Sequence, residues 1–401
     1  MNKYGFRSML LPALLILLAN GIFSFAYVAS YDGESQILWG LFAVNYLLFL
    51  GLAQTGIIFS AIMRVAKSTW ATYFNRLGEV LTLATLPVAI IGFFVLYCGG
   101  AEHLFYWMQQ AGEQAAHHGG AHGAAHGATH LSPWLNEKFF LWRYVATMVP
   151  FYLLSYLYFR GSRAEETHRH IPDSLRIKMS FLGGFIMFFY VWGNTNLAWD
   201  FAMMNIRHWE STIFPGYYWV GHLLAGPAFL FILARVFIRR KPGEPLSLDY
   251  IEPMGKLLMG FTLTSLYMFW SQHIVMWYPE LTHRYGPLLD RMSGNYLYIF
   301  LAMMLALFII PFFVLMFRRI KLTVFGLTFV AVILCLGLWL NRFLLIIPTY
   351  SDGSVPTFGT YVNFSLALGF LAATLLSIIC FFRLFPAVTI RAKGAAPAKG
   401  H

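Results

Sequence analysis

Residues 37–63 read ILWGLFAVNYLLFLGLAQTGIIFSAIM, an apolar run without one charged side chain. About 20 such residues are enough to carry an α-helix across the hydrocarbon core of a bilayer. Nine further stretches share the pattern: Ser8 to Ser30, Gly78 to Cys98, Phe139 to Tyr158, Met179 to Trp192, Tyr217 to Ile238, Leu257 to Met276, Tyr296 to Phe317, Leu322 to Ile347 and Val362 to Phe385. The fifth span in chain order runs on into Asn194, Asn196 and Asp200, which leaves its outer end open. The expected fold is therefore an all-α integral membrane protein of about ten transmembrane helices.

Composition points the same way. Charged residues make up 11% of the 401, and apolar residues 59%, against about a quarter charged in soluble domains. The formal charge of +11 does not form one basic stripe of the kind that binds nucleic acid; it is spread over short loops between apolar runs. Lys3 and Arg7 precede a long apolar stretch with no small-x-small cleavage site after it, so the start reads as a first helix rather than a removed signal. Cys98, Cys335 and Cys380 are too few to hold a four-thiolate iron-sulfur cluster.

In a ten-span arrangement, 22 Lys and Arg fall on the side of the termini and six on the other: Lys138, Arg143, Arg207, Arg284, Arg291 and Arg342. The positive-inside bias puts both termini, including the tail 387–401, in the cytoplasm. The loop 99–138 then lies outside. It contains a His, Gly and Ala tract from His117 to His130, which reads as a mobile low-complexity segment. Its step of four through His118, His122, His126 and His130 would suit a metal only on a helix, and the interleaved glycines oppose one. No metal site is expected.

Several polar groups sit where lipid makes them costly. Glu79 lies one turn inside Arg76 in Asn75-Arg76-Leu77-Gly78-Glu79, and reads either as a capping ion pair or as a proton-loading carboxylate. Gln54 and Thr55 should reach a similar depth. Asn194, Asn196, Asp200, Arg207, His208, Trp209, Ser211 and His222 gather toward the opposite face, where a quinone headgroup needs hydrogen-bond partners and titratable groups. A self-satisfied interfacial loop is the alternative there. His208 and His222 have a spacing compatible with stacked haems, but Pro215 between them breaks a helix and there is no second spaced pair. Phe269-Trp270-Ser271-Gln272-His273, with Trp277, Tyr278, His283, Arg284 and Arg291, reads as an aromatic belt, a docking surface or a site edge.

Four stretches together resemble the NrfD-like quinone-interacting membrane subunits of bacterial respiratory complexes, the polysulfide-reductase membrane-subunit superfamily. They are Asn75 to Glu79 with Thr82; Trp134-Leu135-Asn136 through Phe139-Phe140 to Arg143; Asp200-Phe201 through His208-Trp209 and Ser211-Thr212-Ile213-Phe214; and Phe269 to Gln272 through Trp277-Tyr278 to Arg291. The similarity is greatest to the ten-helix subunits of alternative complex III and of the periplasm-facing menaquinone reductase complex. The chain departs from that pattern at Pro279 to His283, at Asn341-Arg342 and near Cys98.

The resemblance implies a single transmembrane domain over 1–401, with spans two to five and six to nine forming two four-helix bundles flanked by the first and tenth. It implies a subunit of the bacterial inner membrane that exchanges electrons between a quinone of the menaquinone type, near the periplasmic face, and a partner iron-sulfur protein. Such a subunit is not a catalyst alone. Cytochrome c or molybdopterin-type subunits would complete the complex, and no haem or cluster is expected within this chain. Proton transfer would use Glu79, Asp200 and His222. The quinone would meet Arg143, Asp200, His208, Gln272 and His273. The partner would dock over residues 194–217 and 272–295, with Trp209, Trp277 and Tyr278 as anchors. Rival readings are a proton-conducting or anchoring subunit without its own quinone, and a secondary transporter using Glu79, Asp200 and His222 as coupling sites.

Overall fold

A computed structural model of the chain describes residues 3–31, 36–109, 132–167, 172–206, 209–237, 248–278, 282–351 and 361–385. Among these residues there are helices and turns and no strand, as lipid demands of a chain that must satisfy its backbone polar groups internally. The helices longer than a single turn are α1 (Lys3–Tyr31), α2 (Gln36–Val65), α3 (Thr72–Ala84), α4 (Leu86–Val95), α5 (Glu137–Thr167), α6 (Asp173–Ala198), α7 (Phe214–Phe237), α8 (Leu248–Trp277), α9 (Thr282–Met292), α10 (Leu297–Met304), α11 (Ile310–Met316), α12 (Val324–Ile346) and α13 (Tyr361–Leu384).

Among the described residues eight segments are long and apolar enough to cross a membrane: Leu10–Ser30, Gln36–Val65, Phe74–Leu104, Asp173–Met203, Phe214–Phe237, Gly294–Met316, Val324–Tyr350 and Tyr361–Leu384. The protein is thus an all-α, multi-pass membrane protein. Helices α5 and α8, at 31 and 30 residues, are as long. They carry more polar side chains, Arg143 and four tyrosines in the one and Ser265, Ser271, Gln272 and His273 in the other.

Three spans are interrupted for identifiable reasons. The third breaks at Thr85, where Pro87 enters α4 and offers no N–H to the preceding turn. The eighth widens into a π-turn at Leu305–Ile309 just before Pro311. The fifth ends in a π-turn, Trp199–Met203, which carries Asp200; such widened turns recur where a side chain is being re-aimed.

Packing centres on α2, in which every residue from Leu38 to Ala61 is buried. It touches α3 and α6, with α5 closing that ring against both. On its other side α2 meets α7 and α12, while α8 and α10–α11 complete a second ring with them. The α1–α13 pair lies alongside, and α13 contacts α2 and α3. Helices α2 and α3 meet backbone to backbone at Gly56 and Gly78: a Cβ on Gly56 would stand 2.3 Å from the Gly78 carbonyl oxygen. That proximity lets Thr82 Oγ1 donate to Ala53 O at 2.7 Å and accept from Ile57 N–H at 2.9 Å. A polar side chain in α3 is thereby satisfied by the backbone of its neighbour.

Candidate functional site

Four buried polar groups lie along these two rings. The first surrounds Glu79, whose side chain is 1% exposed. Arg76 donates to Oε2 at 2.8 Å, and Ser60 and Ser162 both donate to Oε1 at 3.0 Å. Ser60 also lies 3.4 Å from Tyr158 OH, which accepts from Arg64 Nε at 2.9 Å. Arg64 then forms a two-pronged bond with Glu165, 2.8 Å on each side. Three helices, α2, α3 and α5, supply this cluster, and Tyr158, Arg64 and Glu165 lead from the buried carboxylate toward the less buried helix ends.

The second group is Arg143 with Asp200. Arg143 donates to Oδ1 at 2.5 Å and to Oδ2 at 3.0 Å, and its other terminal nitrogen donates to Trp134 O at 2.7 Å. The guanidinium is boxed by Trp134, Phe139 and Phe140, with its carbon 4.7–5.4 Å from their centroids. Fork-to-fork pairing of this kind fixes both planes. Three of the five N–H groups of Arg143 are engaged by Asp200 and Trp134, so this pair has the geometry of a buried clamp joining α5 to α6.

The third group was not legible as a unit. His222 and Arg342 are both fully buried. Arg342 Nη2 donates to Tyr218 O at 2.7 Å and stands 3.3 Å from His222 Nε2, while Nη1 donates to Asn341 Oδ1 at 3.2 Å. The guanidinium carbon lies 3.7 Å from the Tyr218 ring centroid. Asn341 in turn donates to Tyr217 OH. The imidazole fits because α2 has Gly51 opposite it; a Cβ there would be 2.2 Å from Nε2. Arg342 has no carboxylate partner among the described residues. An arginine inside the apolar run 322–347 was the available signal, since intramembrane charge is costly.

The fourth group lines a narrow pocket of about 30 Å³ between α8, α9, α10 and α12, bordered by Tyr217, Gln272, His273, Arg291 and Asn341. Ser211 donates to Gln272 Oε1 at 2.7 Å, and His273 Nδ1 lies 2.8 Å from Phe269 O. Arg291 donates to Leu345 O at 3.1 Å, stacks on Trp209 with its carbon 4.7 Å from the centroid, and leaves Nη1 without a hydrogen bond. Burial pulls its pKa down to about 10, so it is still a cation at neutral pH.

Tyr217 and Asn341 belong to both the third and fourth groups. A continuous polar line therefore runs from the pocket through Tyr217, Asn341 and Arg342 to His222 at the centre of the molecule. One turn along α2 from Gly51, Gln54 accepts from Asn194 Nδ2 at 2.9 Å. Ser60 follows, nine residues from Gly51 and so about 14 Å along the helix axis. Among the described residues Gln54 bonds to Asn194 and to Met148 Sδ rather than to either neighbouring cluster, but Asn194 Oδ1 and both Asn196 amide atoms are buried without partners there, the environment in which proteins hold ordered water.

Of the expected site residues, Gln272 and His273 share one pocket, Arg143 and Asp200 form one pair, and Glu79 and His222 stand in separate clusters. His208, Arg207 and the His117–His130 tract lie outside the described residues. Trp209 corrects an expectation. It is 3% exposed beneath Arg291, because stacking under a buried cation outweighs an interfacial position, whereas Trp277 and Tyr278 are exposed. No metal-binding group of three His, Cys, Asp or Glu occurs among the described residues. No family model matches the chain, and no curated protein matches it.

Proposed function

We propose that the chain is the quinone-exchanging membrane subunit of a bacterial respiratory complex, related to the NrfD-like subunits. The observation that carries this reading is the polar line Tyr217–Asn341–Arg342–His222, which starts at a pocket bearing a cation and an imidazole and ends against α2. Reducing a quinone takes up protons as well as electrons, so its site needs both hydrogen-bond donors for the carbonyls and a route for protons. Gln272, His273 and Arg291 supply the first; for the second, Tyr217 and His222 are the groups on the line that can exchange a proton, and Asn341 and Arg342 hold them in place. The narrow pocket has room for about two waters, so a headgroup enters only as the rings of Phe269, Phe300 and Tyr217 give way.

In this reading all ten long helical segments span the inner membrane, with two four-helix bundles, α1 and α13 flanking them, and both termini cytoplasmic. The quinone, of the menaquinone type, sits near the periplasmic face. Electrons come or go through a periplasmic iron-sulfur partner that docks by the exposed Trp277 and Tyr278, with cytochrome c or molybdopterin-type subunits beyond it. Arg143 and Asp200 border the site as a clamp.

The Glu79 cluster supports a second reading, a proton-conducting subunit with the quinone held elsewhere. It is complete without any contribution from the pocket. Purifying the chain from its native membrane in mild detergent decides between them. A quinone extracted in near one-to-one amount together with a copurified iron-sulfur polypeptide is the expected result; a copurified partner with no quinone on this chain favours the second reading.

A further inference from the structure

A long apolar groove of about 850 Å³ runs along the outside of α3, α4 and α5, with α13 at one end. Its lining includes Phe94 and Leu141 at one extreme and Arg160 and Arg163 at the other. Leu141 and Arg163 are 22 residues apart on α5, which is about 33 Å of helix, the full depth of a bilayer's hydrocarbon core. Between those ends the walls are almost wholly apolar, through Ile90, Val145, Val149 and Leu153.

The two arginines set the groove apart from an ordinary lipid-facing surface. Both are exposed, neither has a carboxylate partner among the described residues, and Arg160 is held over the Tyr156 ring at 5.9 Å. Nearby Arg64 and Arg76, by contrast, are paired with Glu165 and Glu79. The groove's charged end thus presents two free cations at the membrane boundary, and its body presents hydrocarbon. Flexible hydrocarbon chains match the narrow shape.

We infer that this groove is a specific site for an acidic phospholipid, its phosphate between Arg160 and Arg163 and its acyl chains laid along Tyr156, Leu153 and Val149. The site is independent of the quinone reading, since it shares no residue with the pocket at Gln272 and His273. An acidic headgroup there also neutralises charge beside the Glu79 cluster, because Arg76 stacks on Phe159, a residue of the groove wall.

The test is native mass spectrometry of the full chain, with its accompanying subunits, after exchange into detergent containing equal amounts of phosphatidylglycerol and phosphatidylcholine. Retention of phosphatidylglycerol at about one per chain is expected. The double substitution Arg160→Gln with Arg163→Gln should weaken that retention roughly thirtyfold, given about 1 kcal/mol for each arginine near anionic lipid. The charge-preserving Arg160→Lys with Arg163→Lys should keep most of it, which separates loss of the site from loss of the fold. Equal retention of the two lipids, an unchanged Gln variant, or a quinone as the sole bound hydrocarbon would each overturn the assignment.

Discussion

Arg342 Nη2 lies 3.3 Å from His222 Nε2 in the centre of the helix assembly, with both side chains fully buried. A guanidinium can only donate, so the imidazole nitrogen facing it accepts, which places the proton of a neutral His222 on Nδ1. The pair therefore has a direction: one end is joined through Asn341 to Tyr217 at the pocket, and the other faces α2 at Gly51.

Cutting this line at Arg342 should separate proton delivery from folding. Arg342→Lys keeps the charge, but an ammonium on one stem lacks the planar fork that reaches Asn341 Oδ1, Tyr218 O and His222 together. Quinone-dependent turnover is expected to fall about a hundredfold, the order of an acid–base group, here His222, that is no longer held in place. Stopped-flow turnover with a water-soluble quinol, alongside quinone binding by fluorescence quenching, checks it. Unchanged turnover in a stable variant would remove Arg342 from the path.

Glu79→Gln tests the other end. The amide oxygen can still accept from Ser60 and Ser162, while the amide nitrogen then faces Arg76 Nη1, donor against donor, so the variant loses the titratable carboxyl and the bond to Arg76 together. A stability loss of about 3–5 kcal/mol is expected from leaving the buried Arg76 without its carboxylate, measured by thermal unfolding in detergent. Proton uptake by vesicles containing the complex should be abolished, and normal uptake would show that Glu79 is only a structural ion pair.

The Arg143–Asp200 clamp makes a purely structural prediction. Arg143→Met or Asp200→Leu alone leaves a buried charge unpaired and should cost roughly 3–5 kcal/mol. The double variant should cost distinctly less than the two single losses added together. Thermal unfolding of all four proteins gives the coupling directly, and strict additivity would mean that the two side chains do not depend on one another.

Gly56→Ala pushes a methyl group to 2.3 Å from Gly78 O. Backbone cannot yield as a flexible side chain does, so α2 and α3 must part and Thr82 loses its bonds to Ala53 and Ile57. A destabilisation of about 1–3 kcal/mol is expected. Gly184→Ala, where a Cβ meets nothing within 4 Å, is the control and should be nearly silent.

The helices were legible because a bilayer imposes one arithmetic on every span, and runs such as 37–63 obey it without exception. Their ends were less so. The third span was expected over Gly78 to Cys98, yet the helical segment covers Phe74–Leu104, since protein contacts extend a helix past the apolar limit that sequence reveals. Glu79 and Arg76 could be read together because they are three residues apart. Arg143 and Asp200 are 57 apart, and His222 and Arg342 are 120 apart; only the packing of α5 on α6 and of α7 on α12 brings them into contact. The sequence showed Asn341-Arg342 as a departure from a pattern, whereas the structure gives it partners. Trp209 was misplaced for a related reason: an aromatic beside a polar loop looks interfacial until the cation that covers it is seen.

Photolabelling with an azido-quinone tests the central claim most directly. In the intact complex, illuminated and digested, label is expected on peptides containing Phe269 to His273, Arg291 or Asn341 to Leu345, and an excess of unlabelled quinone should displace it. Label confined to the groove residues between Leu141 and Arg163, or none on this chain while a partner subunit is labelled, would contradict a quinone site at the head of the Tyr217–Asn341–Arg342–His222 line.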